Sequence, residues 1–219
     1  MHRVTSARNG FKKTRSAERL TSIGGNAMKR TIGVAVAVAA ALSMGMMTSA
    51  SASTPKLSSE LLSVGQMPVG WSVDNSSSGS GPGCLANIVE PQGIKQTSNA
   101  TVFFAGIGNI PVIEETLATF TNATTAYKKI VATLNGCKHI VVTSGARKGT
   151  YTVGQMSFPH YGNASGAFAV SIVTPGPTIG EDFFIARKGN VVMGMIEADL
   201  RVNVSQFQGF VVKALAKVR

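Results

Sequence analysis

Residues 138–198 read KHIVVTSGARKGTYTVGQMSFPHYGNASGAFAVSIVTPGPTIGEDFFIARKGNVVMGMIEA. β-Branched and aromatic residues recur in five short runs: Lys138 to Thr143, Thr150 to Phe158, Ala164 to Thr174, Ile179 to Ala186 and Val191 to Ala198. Gly145, Pro159, Pro175-Gly176-Pro177 and Gly189-Asn190 break them. Short strands with turn residues at this spacing predict an antiparallel meander. Upstream, Ala100 to Gly106 and Val112 to Phe120 have the same character, and Gly106 to Pro111 joins them as a hairpin.

Two amphipathic helices flank this strand-rich region. Ala123, Ala126, Tyr127, Ile130, Val131 and Leu134 fall on one helical face. Thr121 or Asn122 can cap that helix at its start, and Gly136 closes it. Phe207, Phe210, Val211, Ala214, Leu215 and Val218 line a last helix from about Asn203 to Lys217. Shorter helices are expected at Leu57 to Val64 and Cys84 to Val89, with a Ser- and Gly-rich loop from Asp74 to Gly83. The expected fold is α+β, a twisted antiparallel sheet of six to seven strands with the two main helices packed on it.

The chain has 219 residues, of which 14% are charged, against about 25% in a typical soluble domain. A hydrophobic content of 44% excludes global disorder. The net charge of +11 divides unevenly: residues 1–52 hold 8 basic and 1 acidic residue (+7), and residues 53–219 hold 13 and 9 (+4). Most of the excess therefore lies outside the folded part. No aromatic interleaving accompanies the basic residues, so no nucleic-acid partner is expected.

Met28-Lys29-Arg30, the uncharged run Ile32 to Met47 and the small residues Thr48 to Ser53 form a secretory signal peptide over residues 28–52. Ala50-Ser51-Ala52 is the expected recognition triplet, with cleavage between Ala52 and Ser53. The apolar run is shorter than the roughly 20 residues a spanning helix needs, so no transmembrane anchor is expected after processing. Residues 1–27 show no apolar periodicity and read as an over-extended start, with Met28 the true one. The mature product, residues 53–219, is expected as one soluble domain in an extracytoplasmic space. It contains Cys84 and Cys137, and an oxidising compartment favours joining them as a disulfide. Their spacing matches no zinc-ligand pattern, and neither a metal nor a cofactor is expected.

An early helix, Met67-Pro68-Val69-Gly70-Trp71, Pro82-Gly83-Cys84, and a helix ending in Asn135-Gly136-Cys137 before a run of strands resemble the PknH-like extracellular sensor domain family of actinobacteria. The resemblance spans most of residues 53–219 and rests on order and spacing. It implies a twisted antiparallel sheet with a cleft and a ligand-binding role without established enzyme chemistry. The kinase member of that family has two disulfides, whereas this chain has cysteines for one.

Candidate chemistry is sparse. Gly162-Asn163-Ala164-Ser165-Gly166 has the order G-x-x-S-G, not the G-x-S-x-G of a nucleophile elbow. His139 reads as a surface residue beside Lys138. His160-Tyr161 follows Pro159 in a turn and is a candidate ligand contact. Glu114-Glu115 and Glu181-Asp182 are neighbours in strands, so each pair splits between two faces, and only a pairing across the two segments could act together. Ala146-Arg147-Lys148-Gly149 recurs as Ala186-Arg187-Lys188-Gly189. Read as hairpin turns at one end of a sheet, Arg147, Lys148, Arg187 and Lys188 would draw an anionic partner. The expected function is a non-catalytic ligand-binding or sensor domain of the cell envelope, with an anionic or lipidic ligand. The competing readings are a secreted hydrolase using His160 with Glu181 or Asp182, and a structural or host-interaction protein.

Overall fold

The structure is a computed structural model and describes residues 55–75, 82–87, 91–144, 147–174, 176 and 178–219. The expected start, signal peptide and Ala52–Ser53 cleavage site lie outside these residues, as does most of the Asp74 to Gly83 loop. Eight strands form one antiparallel sheet: β1 (Ser72–Val73), β2 (Gln96–Ala105), β3 (Val112–Phe120), β4 (His139–Ser144), β5 (Arg147–Gln155), β6 (Ala164–Val173), β7 (Ile179–Lys188) and β8 (Val191–Asp199). Their order is β1-β2-β3-β8-β7-β6-β5-β4. The expected meander is the run β4 to β8, and the expected hairpin β2–β3 adds to it through the β3–β8 pairing.

The strand count of six to seven is corrected to eight by β1. Its two residues pair with Phe104 and Ala105 at the sheet edge, too short a run to show periodicity. Strand ends also moved. β5 begins at Arg147 and stops at Gln155, so Phe158 leaves the sheet to pack elsewhere. The helix expected from Leu57 is α1 (Pro55–Glu60), followed by a 3-10 turn at Val64–Gln66. The one expected from Cys84 is a 3-10 turn at Gly83–Asn87.

The two main helices are α2 (Ala123–Gly136) and α3 (Val204–Lys217). Asn122 Oδ1 accepts the Thr125 N–H at 2.9 Å, and Asn203 Oδ1 accepts that of Gln206 at 3.2 Å. Each asparagine thereby satisfies one of the free donors that every helix start leaves. The helices lie on opposite faces of the sheet. Ala126, Ile130 and Leu134 of α2 pack on Phe168, Phe183, Ile185 and Ile196. Phe207, Phe210 and Val211 of α3 pack with α1 on Phe104, Ile113, Leu117 and Phe184. Strand side chains alternate between faces, so a strand covered on both sides must be apolar at successive positions. β8 fits this, being buried from Val191 through Ala198.

A disulfide joins Cys84 to Cys137, just past the end of α2, with Cα atoms 5.8 Å apart. Residues 55–219 contain every described strand, both cores and this bridge. Among the described residues no helix is long and apolar enough to cross a membrane.

Register defines two ends of the sheet. Phe120, Gln155, Ala164, Lys188 and Val191 lie at one, called the upper end; Ala105, Val112, Val173, Ile179 and Asp199 lie at the other, the lower end.

Candidate functional site

Where β5 parts from β6 at the upper end, the connecting loop folds onto the α3 face of the sheet. Phe158 packs against Phe184 of β7 and Phe207 of α3, with ring centroids 5.1 and 5.8 Å away. Tyr161 packs edge-on to Phe158 and Phe184, and its hydroxyl accepts the Gln208 amide at 2.8 Å. Asn163 closes the loop: its N–H donates to Arg187 O at 2.8 Å, and its Oδ1 accepts the Gly189 N–H at 2.8 Å. Gly162 has φ +67°, and a Cβ there would lie 2.7 Å from Arg187 O. Gly162→Ala is therefore expected to cost about 2–3 kcal/mol of stability through left-handed strain and a backbone clash. A urea midpoint equal to wild type would show that the loop is not held this way.

This anchored loop brings His160 to Ser165 of β6, with Nδ1 and Oγ 3.2 Å apart. Ser165 Oγ also accepts the Tyr161 N–H at 3.0 Å, which leaves its own proton free for the imidazole. The pair opens on a cavity of about 240 Å³, whose lining includes Met156, Phe158, Phe168 and Phe184. These side chains supply apolar and aromatic walls, and Gln155, His160 and Ser165 add polar groups to the lining. No carboxylate is hydrogen-bonded to His160 among the described residues, so the third member of a Ser-His-Asp arrangement is missing.

Glu181 and Asp182 do not supply it. Ser165 pairs with Ala186, four residues beyond Asp182 on β7, which is roughly 13 Å along a strand. The expected partnership of His160 with Glu181 or Asp182 is therefore corrected: they stand toward opposite ends of the sheet.

The carboxylates instead meet one another. Asp182 pairs directly with Glu197 across β7 and β8, and Glu197 pairs with Ile113, two residues before Glu115. Asp182, Glu197 and Glu115 thus share the α3 face, while Glu114 and Glu181 share the α2 face on either side of β8. All five are buried. The Thr116 hydroxyl donates to Glu114 Oε1 at 3.3 Å, and the Leu62 N–H donates to Glu115 Oε2 at 2.7 Å. Glu181 and Glu197 have no hydrogen-bond partner at either oxygen.

Burial pushes Glu114 well above the usual carboxylate range, against the Thr116 hydrogen bond. Burial and then the charge of Glu114 do the same to Glu181. Glu115 is raised to about 7 by burial, opposed by Leu62 and Lys217. Glu197 reaches about 8, through burial first and then Asp182 and Asp199. Asp182 is raised by burial as well. The two segments are separated by β8, and none of these carboxylates lines the His160 cavity. Glu197 lies within an apolar run, which gives it no sequence signal as a site residue.

The basic repeats are corrected too. Arg147 and Lys148 begin β5, and Arg187 and Lys188 end β7, so both pairs lie in strands beside the turns. Arg147 pairs with Ser144 at the lower end, whereas Lys188 pairs with Val191 at the upper end. They cannot form one patch. Lys188 Nζ donates to Leu215 O at 3.0 Å and to Val218 O at 2.5 Å, closing the C-terminal turn of α3. An Arg187 guanidinium nitrogen donates to Gly189 O at 3.0 Å within its own turn. Lys148 is exposed, as is His139, while the Arg147 side chain lies outside what the structure describes. No group of three or more His, Cys, Asp or Glu among the described residues could hold a metal ion.

No family model matches the chain, and no curated protein does either. Among solved structures, the extracellular domain of PknH from Mycobacterium tuberculosis is similar to it, at 13% identity and a TM-score of 0.51, over 74% of this chain and 96% of that one. At that identity the likeness shows the fold alone: this chain shares its fold with that extracellular domain.

Proposed function

We propose that the chain is an exported, sensor-type domain of the cell envelope that binds a ligand without transforming it. The observation that carries this reading is the fold held in common with the extracellular domain of PknH. The Cys84–Cys137 bridge supports an extracytoplasmic place, where disulfides form and persist. The cavity at His160 and Ser165 is the candidate binding site. Its aromatic walls suit a small apolar body, and its imidazole and hydroxyl suit a hydrogen-bonding head. The arrangement of Ser165, held by the Tyr161 N–H beside a histidine without a carboxylate, supports binding over acyl transfer.

The test is a thermal-shift screen of residues 53–219 against envelope lipids, glycans and peptides, since a ligand of the folded state raises the melting temperature. A hit is expected to lose most of its shift in the variant His160→Ala, Ser165→Ala. A shift that survives both changes would remove this cavity from the proposal. The Ser165–His160 contact also favours a second reading, a secreted hydrolase. Labelling of Ser165 by a fluorophosphonate probe would establish that reading in place of the first.

A further inference from the structure

The two ends of the sheet differ in what their turns expose. At the upper end the turns carry Thr121-Asn122, Gly162-Asn163 and Gly189-Asn190, and none bears an exposed large aliphatic side chain. At the lower end Val69 is 99% exposed, Ile107 80% and Leu200 51%, and Val204 at the start of α3 is exposed as well. The fold gathers these four. Ile107 lies in the turn between β2 and β3, and Leu200 directly follows β8; Val112 pairs with Ala198, so the two turns are neighbours. Val69 precedes Gly70, whose backbone packs against the Ile107 side chain.

The fully exposed charges at this end are positive. Arg201 is exposed beside Leu200, and Lys148 is exposed where β5 begins. Of the carboxylates there, Glu114, Glu115, Glu181, Asp182 and Glu197 are buried, and Asp74, just past β1, is only partly exposed. Asp199 is only partly exposed, and its Oδ1 accepts the Leu200 N–H at 2.6 Å. Separate turns tipped with Val, Ile and Leu among cations match the two attractions of an interfacial protein, shallow aliphatic insertion and anionic headgroups. A protein interface would be expected to centre on Trp, Tyr or Arg in a pocket, and no aromatic residue is among the exposed apolar side chains of the described residues.

We propose that the lower end of the sheet is a docking surface for an anionic lipid bilayer, with Val69, Ile107, Leu200 and Val204 entering the interface and Arg201 meeting headgroups. This does not depend on any ligand in the His160 cavity.

The test is flotation of residues 53–219 with phosphatidylcholine vesicles, with and without phosphatidylglycerol. The wild type is expected to float with the anionic vesicles and to release as salt rises. Ile107→Asp with Leu200→Asp is expected to lower partitioning about tenfold or more. Val212→Asp, on the outer side of α3, is expected to leave it unchanged. The altered side chains are exposed, so an unchanged melting temperature confirms folding. Should the double variant not fold, Arg201→Glu is expected to weaken binding to anionic vesicles several-fold. Absence of wild-type flotation overturns the proposal. So does flotation that none of these lower-end variants alters. Chemical cross-linking of this end to another protein, without vesicle binding, overturns it as well.

Discussion

Replacing both cysteines, Cys84→Ala with Cys137→Ala, is expected to lower the stability of the folded domain by about 4 kcal/mol in the chain-entropy view of a cross-link. The bridge spans 53 residues of sequence. That loop contains β2, β3 and α2, so the unfolded chain without the bridge gains the freedom of a third of the domain. The native state loses something too. Leu85, next to Cys84, is buried in the same core as Ile130, Leu134 and Ile140, and Cys137 is itself buried there. Without the bridge, the 3-10 turn at Gly83–Asn87 must hold its place by packing alone. Urea denaturation should show a lower midpoint, and a steeper slope as the unfolded chain exposes more surface. An unchanged midpoint would mean that the cross-link contributes nothing.

Stability is expected to fall as pH rises from about 4.5 toward 8. A carboxyl whose pKa is raised by folding binds its proton more tightly in the native state than in the unfolded chain. Its favourable contribution is complete below the unfolded value and is lost as pH climbs through the folded one. For Glu115 that window runs from 4.5 to about 7, and for Glu197 from 4.5 to about 8. Glu114 and Glu181 shift in the same direction. Each pKa unit corresponds to about 1.4 kcal/mol, so Glu115→Gln is expected to stabilise the domain at pH 8 by on the order of 3 kcal/mol. The glutamine keeps a carbonyl oxygen for the Leu62 N–H. Below pH 4 the variant and wild type should coincide. Melting curves across this range decide the matter: a wild type most stable at pH 8 would contradict the buried placement of these groups.

That placement shows what local reading reaches. The spacing of Ala123, Ala126, Ile130 and Leu134 identified α2, and the β-branched and aromatic residues of Val112 to Phe120 identified β3, because both signals are properties of a short segment. Phe158 was read as the end of a strand, since an aromatic residue beside Val153 and Met156 has strand character. Its actual partners are Phe184 and Phe207, 26 and 49 positions away, and they draw it off the sheet onto α3. Ser165 carried a signal too weak to use, a serine between small residues in an order that matches no nucleophile motif. Only the turn at Pro159 to Asn163 brings His160 to it.

By itself the sequence determined the main element types, a start near Asn122 and Asn203 for the two main helices, and the availability of one cysteine pair. Each follows from neighbours within about four residues or from a count. Beyond the meander and the hairpin, the joining of β3 to β8, the edge strand β1 and the register were decided by the tertiary structure alone. They set Glu114 and Glu181 on one face on either side of β8, put Asp182 opposite Glu197, and parted Arg147-Lys148 from Arg187-Lys188 to opposite ends. They also gathered Val69, Ile107, Leu200 and Val204 at one end. The physical reason is that a strand's pattern states which of its residues share a face, but not which strand lies alongside it. The partner is chosen by burial of both sheet faces beneath α2 and α3 together, a condition that exists only once the whole chain has collapsed.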